Sequence, residues 1–224
     1  MAPVSLISAA AGMTPTGAGS YAYSARVEAV VDDLDYGKAV GLWGHRPLDD
    51  SWQLYPGTFA RALPAGRELW RVHVVGNPVD RFALRYDVLG AVYWDNNRGA
   101  DYRLDPAEAE RHDGIGTAVI TGPLRVVGWS LERVGLVVEM LVAETGADAE
   151  VGVHYTLSEW ASWSDITGSP QRALPPAGTG HQIATRLWRV TVPMGAGVSG
   201  RFAAYLITGG VISWDNDFGR DFRF

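Results

Sequence analysis

GAVYWDNNRGADYRL, residues 90–104, and GVISWDNDFGRDFRF, residues 210–224, are two versions of one string. Trp94 and Trp214 stand 120 positions apart, and behind each come Asp and Asn, then Gly, Asp, an aromatic residue and Arg in the same order. An apolar run bounded by Gly90 or Gly210 precedes each tryptophan. So many chemically distinct positions in one order identify an internal duplication, and the fold follows from reading one copy with the help of the other.

The correspondence runs upstream. RFALRY at 81–86 answers RFAAYL at 201–206, and LWRV at 69–72 answers LWRV at 187–190. ARALP at 60–64 answers QRALP at 171–175, and AVGL at 39–42 answers EVGV at 150–153. The offset grows from 111 at the RALP strings to 118 at the LWRV strings, so the second copy carries an insertion in the Pro/Gly-rich stretch at 176–181. Insertions are tolerated in surface loops and not in strands, which places a loop there in both copies. Two units of roughly 100 residues are tandem domains rather than a solenoid, and each is long enough to bury its own core. The reading is a leader or first edge strand at 1–19, a first domain at 20–104, a linker at 105–121 and a second domain at 122–224.

Composition narrows the class. Among 224 residues 47% are hydrophobic and 20% charged, which excludes disorder. A formal charge of −6, with no basic stripe, argues against nucleic acid as a partner. No apolar run reaches membrane-spanning length, and the apolar start lacks a cationic n-region, so the expected location is cytoplasmic. Cysteine is absent, so disulfides play no part.

Apolar runs of four to eight residues alternate between Gly, Pro, Asn and Asp clusters, as in Arg67–Val75 and Arg81–Val88, and no long helical period occurs. This predicts an all-β chain of two tandem β-sandwiches. Pro56-Gly57 is expected to split the run from Trp52 to Phe59 into two short pieces. VGLVVEMLVAE resembles a helix by composition, but it stands where a strand stands in the first copy and is read as a strand. DPAEAERH offers one helical turn, capped by Asp105 with Pro106 at the first helical position.

Catalytic constellations are missing. The histidines (His45, His73, His112, His154 and His181) show no metal-ligand spacing, and there is no phosphate loop and no nucleophile elbow. The expectation is a non-enzymatic protein without cofactor or metal. What stands out is nine tryptophans and nine tyrosines, more than two small cores need. An indole suits the weakly apolar face of a sugar ring, with Asp and Asn to meet its hydroxyls. The candidate sugar-binding clusters are Trp52 with Tyr55, Trp160 with Trp163, Trp94 with Asp95, Asn96 and Asn97, and Trp214 with Asp215 and Asn216. Trp70, Trp188, Phe82 and Phe202 read as core, and the Asp-Asn pairs can equally hold a turn. A calcium loop is a further reading of Asp95, Asn97 and Asp101, but Gly99 falls at the fifth position and no glutamate follows at the twelfth.

FALRYDVLGAVYWDNNRGADYRL, from Phe82 to Leu104, resembles the C-terminal signature of the family-21 carbohydrate-binding modules, which include starch-binding and glycogen-targeting domains. VVDDLDYGKAV, from Val30 to Val40, is similar to the family's N-terminal block through Leu34, Tyr36, Lys38 and Val40. YTLSEWASWSD, from Tyr155 to Asp165, is similar to its middle block. The resemblance implies immunoglobulin-like sandwiches that bind α-glucan polysaccharide or maltooligosaccharide without catalysis. Carried over, the binding positions are Trp160, Trp163, Trp214, Asp215 and Asn216 in copy two, and Trp94, Asp95, Asn96 and Asn97 with Trp52 or Tyr55 in copy one. Each copy has lost part of the pattern: copy one lacks a clear middle block, and copy two lacks the aromatic and lysine of the N-terminal block. The alternative reading is a structural or protein-interaction module that kept the fold and lost the glycan.

Overall fold

Alternating apolar residues between turn-forming clusters fold here almost entirely as antiparallel strands. The computed structural model describes residues 2–144, 148–175, 183–195 and 197–224. The insertion expected at 176–181 lies outside the described residues. Among the described residues no helix is long and apolar enough to cross a membrane. The chain divides into two units, Met1–Thr121 with Pro175–Ile183 and Gly122–Leu174 with Ala184–Phe224.

The first unit contains β1 (Val4–Gly17), β2 (Ser20–Asp32), β3 (Lys38–Arg46), β4 (Ser51–Leu63), β5 (Arg67–Val75), β6 (Arg81–Val88), β7 (Ala91–Asp95) and β8 (Tyr102–Arg103). The helix α1 (Pro106–Glu110) and β9 (Gly114–Ile120) follow. The strand order is β7-β6-β3-β4-β5-β2-β1-β9, with β8 paired to β6. Period-two alternation places Val27, Ala29 and Val31 of β2, Val72 and Val74 of β5, Val40 and Leu42 of β3, and Phe82, Leu84 and Tyr86 of β6 in one buried cluster. Burial of each large side chain among these contributes about 1.5–3 kcal/mol.

Three segments differ from their sequence expectation. Residues 4–17 form a full strand, and β1 is no edge, since it pairs with β2 on one side and β9 on the other. The stretch 105–121 is part of the first unit: α1 is capped by Asp105, whose Oδ1 accepts from the N–H groups of Ala107 (3.0 Å) and Glu108 (3.2 Å). Ala109 on α1 is buried in the core. These Ala/Gly/Thr-rich segments look featureless because small side chains suffice where strands and helix lie close together.

Pro56-Gly57 does not break β4. Its first half pairs with β3 and its second half with β5, so one strand serves both partners and changes between them at Pro56-Gly57. A Cβ on Gly57 would lie 2.8 Å from the carbonyl oxygen of Val40, which explains the glycine.

The second unit repeats the plan with β10 (Leu124–Glu132), β11 (Gly135–Ala143), β12 (Glu150–Thr156), β13 (Ser164–Thr167), β14 (Ser169–Leu174), β15 (Thr185–Val192), β16 (Arg201–Thr208), β17 (Val211–Asp215) and β18 (Phe222–Arg223). Two sheets result, β10-β11-β15-β14 and β13-β12-β16-β17 with β18 on β16. Leu136, Val138 and Met140 of β11, Val151 and Val153 of β12, and Phe202, Ala204 and Leu206 of β16 share one core. The place of β4 is taken by β13 and β14, which part at Gly168, the counterpart of Gly57. A Cβ there would meet Val190 Cγ2 at 2.6 Å and the Arg189 oxygen at 2.8 Å.

Candidate functional site

The duplicated loops are built alike from the backbone up. Asn97, Arg98 and Asp101 take left-handed φ values of 53°, 59° and 54°, and Asp217, Phe218 and Asp221 take 52°, 57° and 59°. Asn and Asp tolerate that region better than other side chains, and Gly99 and Gly219 also occupy it. Asn96 Oδ1 accepts from Gly99 N–H at 3.0 Å, and Asn216 Oδ1 from Gly219 N–H at 2.9 Å. Asn97 is buried and donates to the Asp101 carbonyl at 3.0 Å.

The aspartates face inward. Asp95 Oδ2 accepts the Leu6 N–H at 2.7 Å, and Asp215 Oδ2 accepts the Val126 N–H at 2.7 Å. Leu6 and Val126 both sit at a register shift, where β1 and β10 bulge against β2 and β11. A bulge disturbs the ladder, and the carboxylate takes the N–H there. The remaining carboxylate partners differ. Asp95 receives the Tyr102 hydroxyl at 2.9 Å, and burial together with Asp95 pushes that phenol well above its ordinary value. Copy two has Phe222 at that position, and Arg125 supplies the contact to Asp215 at 3.0 Å, both side chains being buried.

The tryptophans of these loops do the opposite and face solvent: Trp94 is 43% and Trp214 50% exposed. In the second unit Trp214 belongs to a ring cluster on the outer face of β13-β12-β16-β17. At its centre is His154 of β12. Its imidazole stacks on Trp160 (5.2 Å, 12°) and meets Trp163 at 5.9 Å and Trp214 edge-on at 5.8 Å. Register explains the convergence. His154 pairs with Asp165 on β13, and Gly152, two residues earlier, pairs with Tyr205, which pairs with Trp214. Side chains two apart share a face. A Cβ on Gly152 would fall 2.4 Å from the Tyr205 ring, so glycine there lets that ring lie across the strand beside Trp214 (5.7 Å).

Polar groups fix the rings. Asp165 Oδ1 holds His154 Nδ1 at 2.7 Å. Tyr205 donates to Glu150 at 3.1 Å, and burial, followed by that carboxylate, pushes its phenol up to about 12. Trp160 Nε1 donates to Asp221 at 2.9 Å, tying the β12–β13 loop to the duplicated loop. Trp160 itself has φ 71°, a strained value for a bulky residue. The buried Thr156 hydroxyl holds it there, accepting the N–H groups of Ser158 and Trp160 at 3.1 Å each. Trp160 is thus a half-buried buttress, while Trp163, 61% exposed, and Trp214 are open rings.

The first unit presents different chemistry on the same lattice. Trp43 replaces His154 and stacks with Trp52 (6.3 Å, 13°), and Arg81 lies over Trp52 at 5.6 Å. Arg85 replaces Tyr205 and lies over Trp94 at 5.7 Å. Beneath Trp52 the buried His45 is held between Asp80 (Nδ1, 2.6 Å) and Asp50 (Nε2, 2.9 Å), hydrogen bonds that raise its pKa. Tyr55 does not join Trp52 at the surface: it is 8% exposed and packs in the core, because alternation along β4 turns it inward.

Of the residues singled out from sequence, Trp160, Trp163 and Trp214 come together, and Trp52 and Trp94 are open. The side chains of Asp95, Asn96, Asn97, Asp215 and Asn216 make hydrogen bonds within the protein. His154, Tyr205, Trp43 and Arg85 escaped sequence reasoning, since strand register alone brings them beside the tryptophans. Tyr36, in the turn between β2 and β3, is fully exposed. Among the described residues no group of three or more His, Asp or Glu side chains is placed to hold a metal ion.

No protein-family profile matches the chain, and no curated protein matches it. Among solved structures, the starch-binding domain of Rhizopus oryzae glucoamylase, determined with beta-cyclodextrin and maltoheptaose, is similar over 47% of this chain and 94% of its own. The identity is 22% and the TM-score 0.36, a weak and partial likeness.

Proposed function

We propose that this chain is a non-catalytic binder of α-glucan of the starch or glycogen kind, built as two tandem immunoglobulin-like sandwiches of the family-21 carbohydrate-binding type. The observation that carries the reading is the outer face of the second unit, where two open indoles, Trp163 and Trp214, flank an imidazole oriented by a carboxylate. Indole faces take the C–H face of a pyranose ring, and Asp165 and His154 stand beside them to meet hydroxyls. Such residues act as hot spots, each costing on the order of 1–3 kcal/mol when truncated. In the first unit Trp52 and Trp94 offer one platform each. Asp95, Asn96, Asn97, Asp215 and Asn216 serve the sites by holding each loop, and thereby each tryptophan, at the end of its strand.

Affinity electrophoresis in gels with and without amylopectin tests this directly. The intact chain is expected to be retarded by the polysaccharide. The Trp163→Ala/Trp214→Ala double variant is expected to lose most of that retardation while keeping its melting temperature, since both indoles are exposed. An intact chain that migrates identically in both gels sinks the proposal.

A further inference from the structure

The duplication shows one strand position that is filled in the first unit and, among the described residues, unfilled in the second. In the first unit Ser8–Gly12 of β1 pair along their outer side with β9, Ser8 opposite Ile120 and Ala9 opposite Val119. Ser8, Ala9 and Ala11 are buried there, and α1 packs over the same end. The bulge at Leu6 and the carboxylate that satisfies it align β1 with β10 without ambiguity. Ser8–Gly12 therefore correspond to Gly128–Glu132. Among the described residues β10 ends its sheet, with β11 as its one strand neighbour. Trp129 is 44% and Leu131 48% exposed, where their counterparts Ala9 and Ala11 are covered.

Trp129 makes good part of the missing side-chain cover. Its indole packs edge-on against Phe222 (5.2 Å) and Phe202 (5.8 Å) and donates to the Arg223 carbonyl at 3.1 Å. The main-chain edge is another matter, since no side chain can replace a ladder. Natural edges are blunted by lysine, proline, inward charge or brevity. A β-bulge also blunts an edge, and β10 has one between Val126 and Gly128; beyond it GWSL, residues 128–131 of a nine-residue strand, has none of these devices.

We propose that the outer edge of β10, from Gly128 to Glu132, is a docking site for an extended segment of a partner protein, added antiparallel as a further strand. The chemistry of the occupant is read from β9: GIGTAVI is uncharged, β-branched and small at alternate positions, and it fills the equivalent place in the first unit. Main-chain hydrogen bonds supply affinity in this mode, and side chains at alternate positions supply selectivity. Here Trp129 and Leu131 are the apolar side chains that read the partner strand. The site uses none of the proposed sugar-binding residues and stands independently of the glycan reading.

The test uses the whole chain and an acetylated, amidated GIGTAVI peptide, followed by residue-resolved hydrogen exchange. The expected result is slowed exchange at Gly128–Glu132 on adding peptide. Leu131→Lys, a charge placed on an exposed edge position, is expected to weaken peptide binding about tenfold or more with an unchanged melting temperature. A peptide carrying proline in place of its alanine is expected not to bind, because it cannot complete the ladder. Unchanged exchange at millimolar peptide overturns the proposal, as does protection confined to Ser8–Gly12, which would mean exchange with β9. Protection of Gly128–Glu132 that needs no peptide and rises with protein concentration also overturns it, since the occupant would then be a second copy.

Discussion

His45 shows how one side chain can couple a candidate binding platform to pH. Both ring nitrogens face carboxylates, Asp80 at 2.6 Å and Asp50 at 2.9 Å, and only the doubly protonated ring can donate to both. The Asp80 hydrogen bond, then that of Asp50, raises its pKa, while burial and the neighbouring Arg81 oppose the shift. A folded value above the ordinary 6.5 means that the stabilisation is complete below 6.5 and is lost as pH rises through the folded value. Urea unfolding is therefore expected to show stability falling as pH rises beyond 6.5, with His45→Gln removing that component of the slope. An unchanged pH profile in the variant would show that His45 is not the titrating group. Trp52, 5.4 Å from this ring, is expected to report the change through its fluorescence.

At the scale of elements, the WDN loop is a clasp: a carboxylate reaches from the end of β7 or β17 to a bulged N–H on β1 or β10. The clasp survives in both copies although its second partner has been exchanged, Tyr102 in one and Arg125 in the other. Ser5 stands where copy two has Arg125. Arg125→Ser is thus expected to weaken the second unit by about 3 kcal/mol, because it removes a cation from a buried carboxylate. Adding Phe222→Tyr, which restores the first unit's partner, is expected to recover about half of that loss. Denaturant unfolding of both variants checks the pair. Additive or worse behaviour of the double variant would show that the two arrangements are not interchangeable.

The whole molecule places two candidate faces on one chain, and a glucan repeats its own ligand, so a second contact is governed by effective concentration. Calorimetry with maltoheptaose is expected to show Trp94→Ala and Trp214→Ala each removing binding in its own unit, by about 1–3 kcal/mol. On glycogen each single change is expected to cost more than half the apparent affinity, and the double change nearly all of it. Single variants that bind glycogen like the parent would show that one unit suffices.

The all-β character and the duplication were legible in the chain itself, because both rest on local order: period-two alternation, turn residues, and strings repeated in the same sequence of positions. The αL turns after Trp94 and Trp214 belong to the same class, since Asn, Asp and Gly carry their own backbone preference. Long-range register decided the rest. His154, Tyr205 and Gly152 come together with Trp163 and Trp214 only when β12 pairs with β13 and β16. Tyr55 turns inward because β4 runs unbroken through Pro56-Gly57. Asp95 and Asp215 face a bulge rather than solvent because each loop folds back onto a strand some ninety residues earlier. β9, a stretch that reads as linker, is a strand because β1 offers it an edge. A sequence prescribes what each residue can do locally, and only pairing across the chain settles which of those capacities meet.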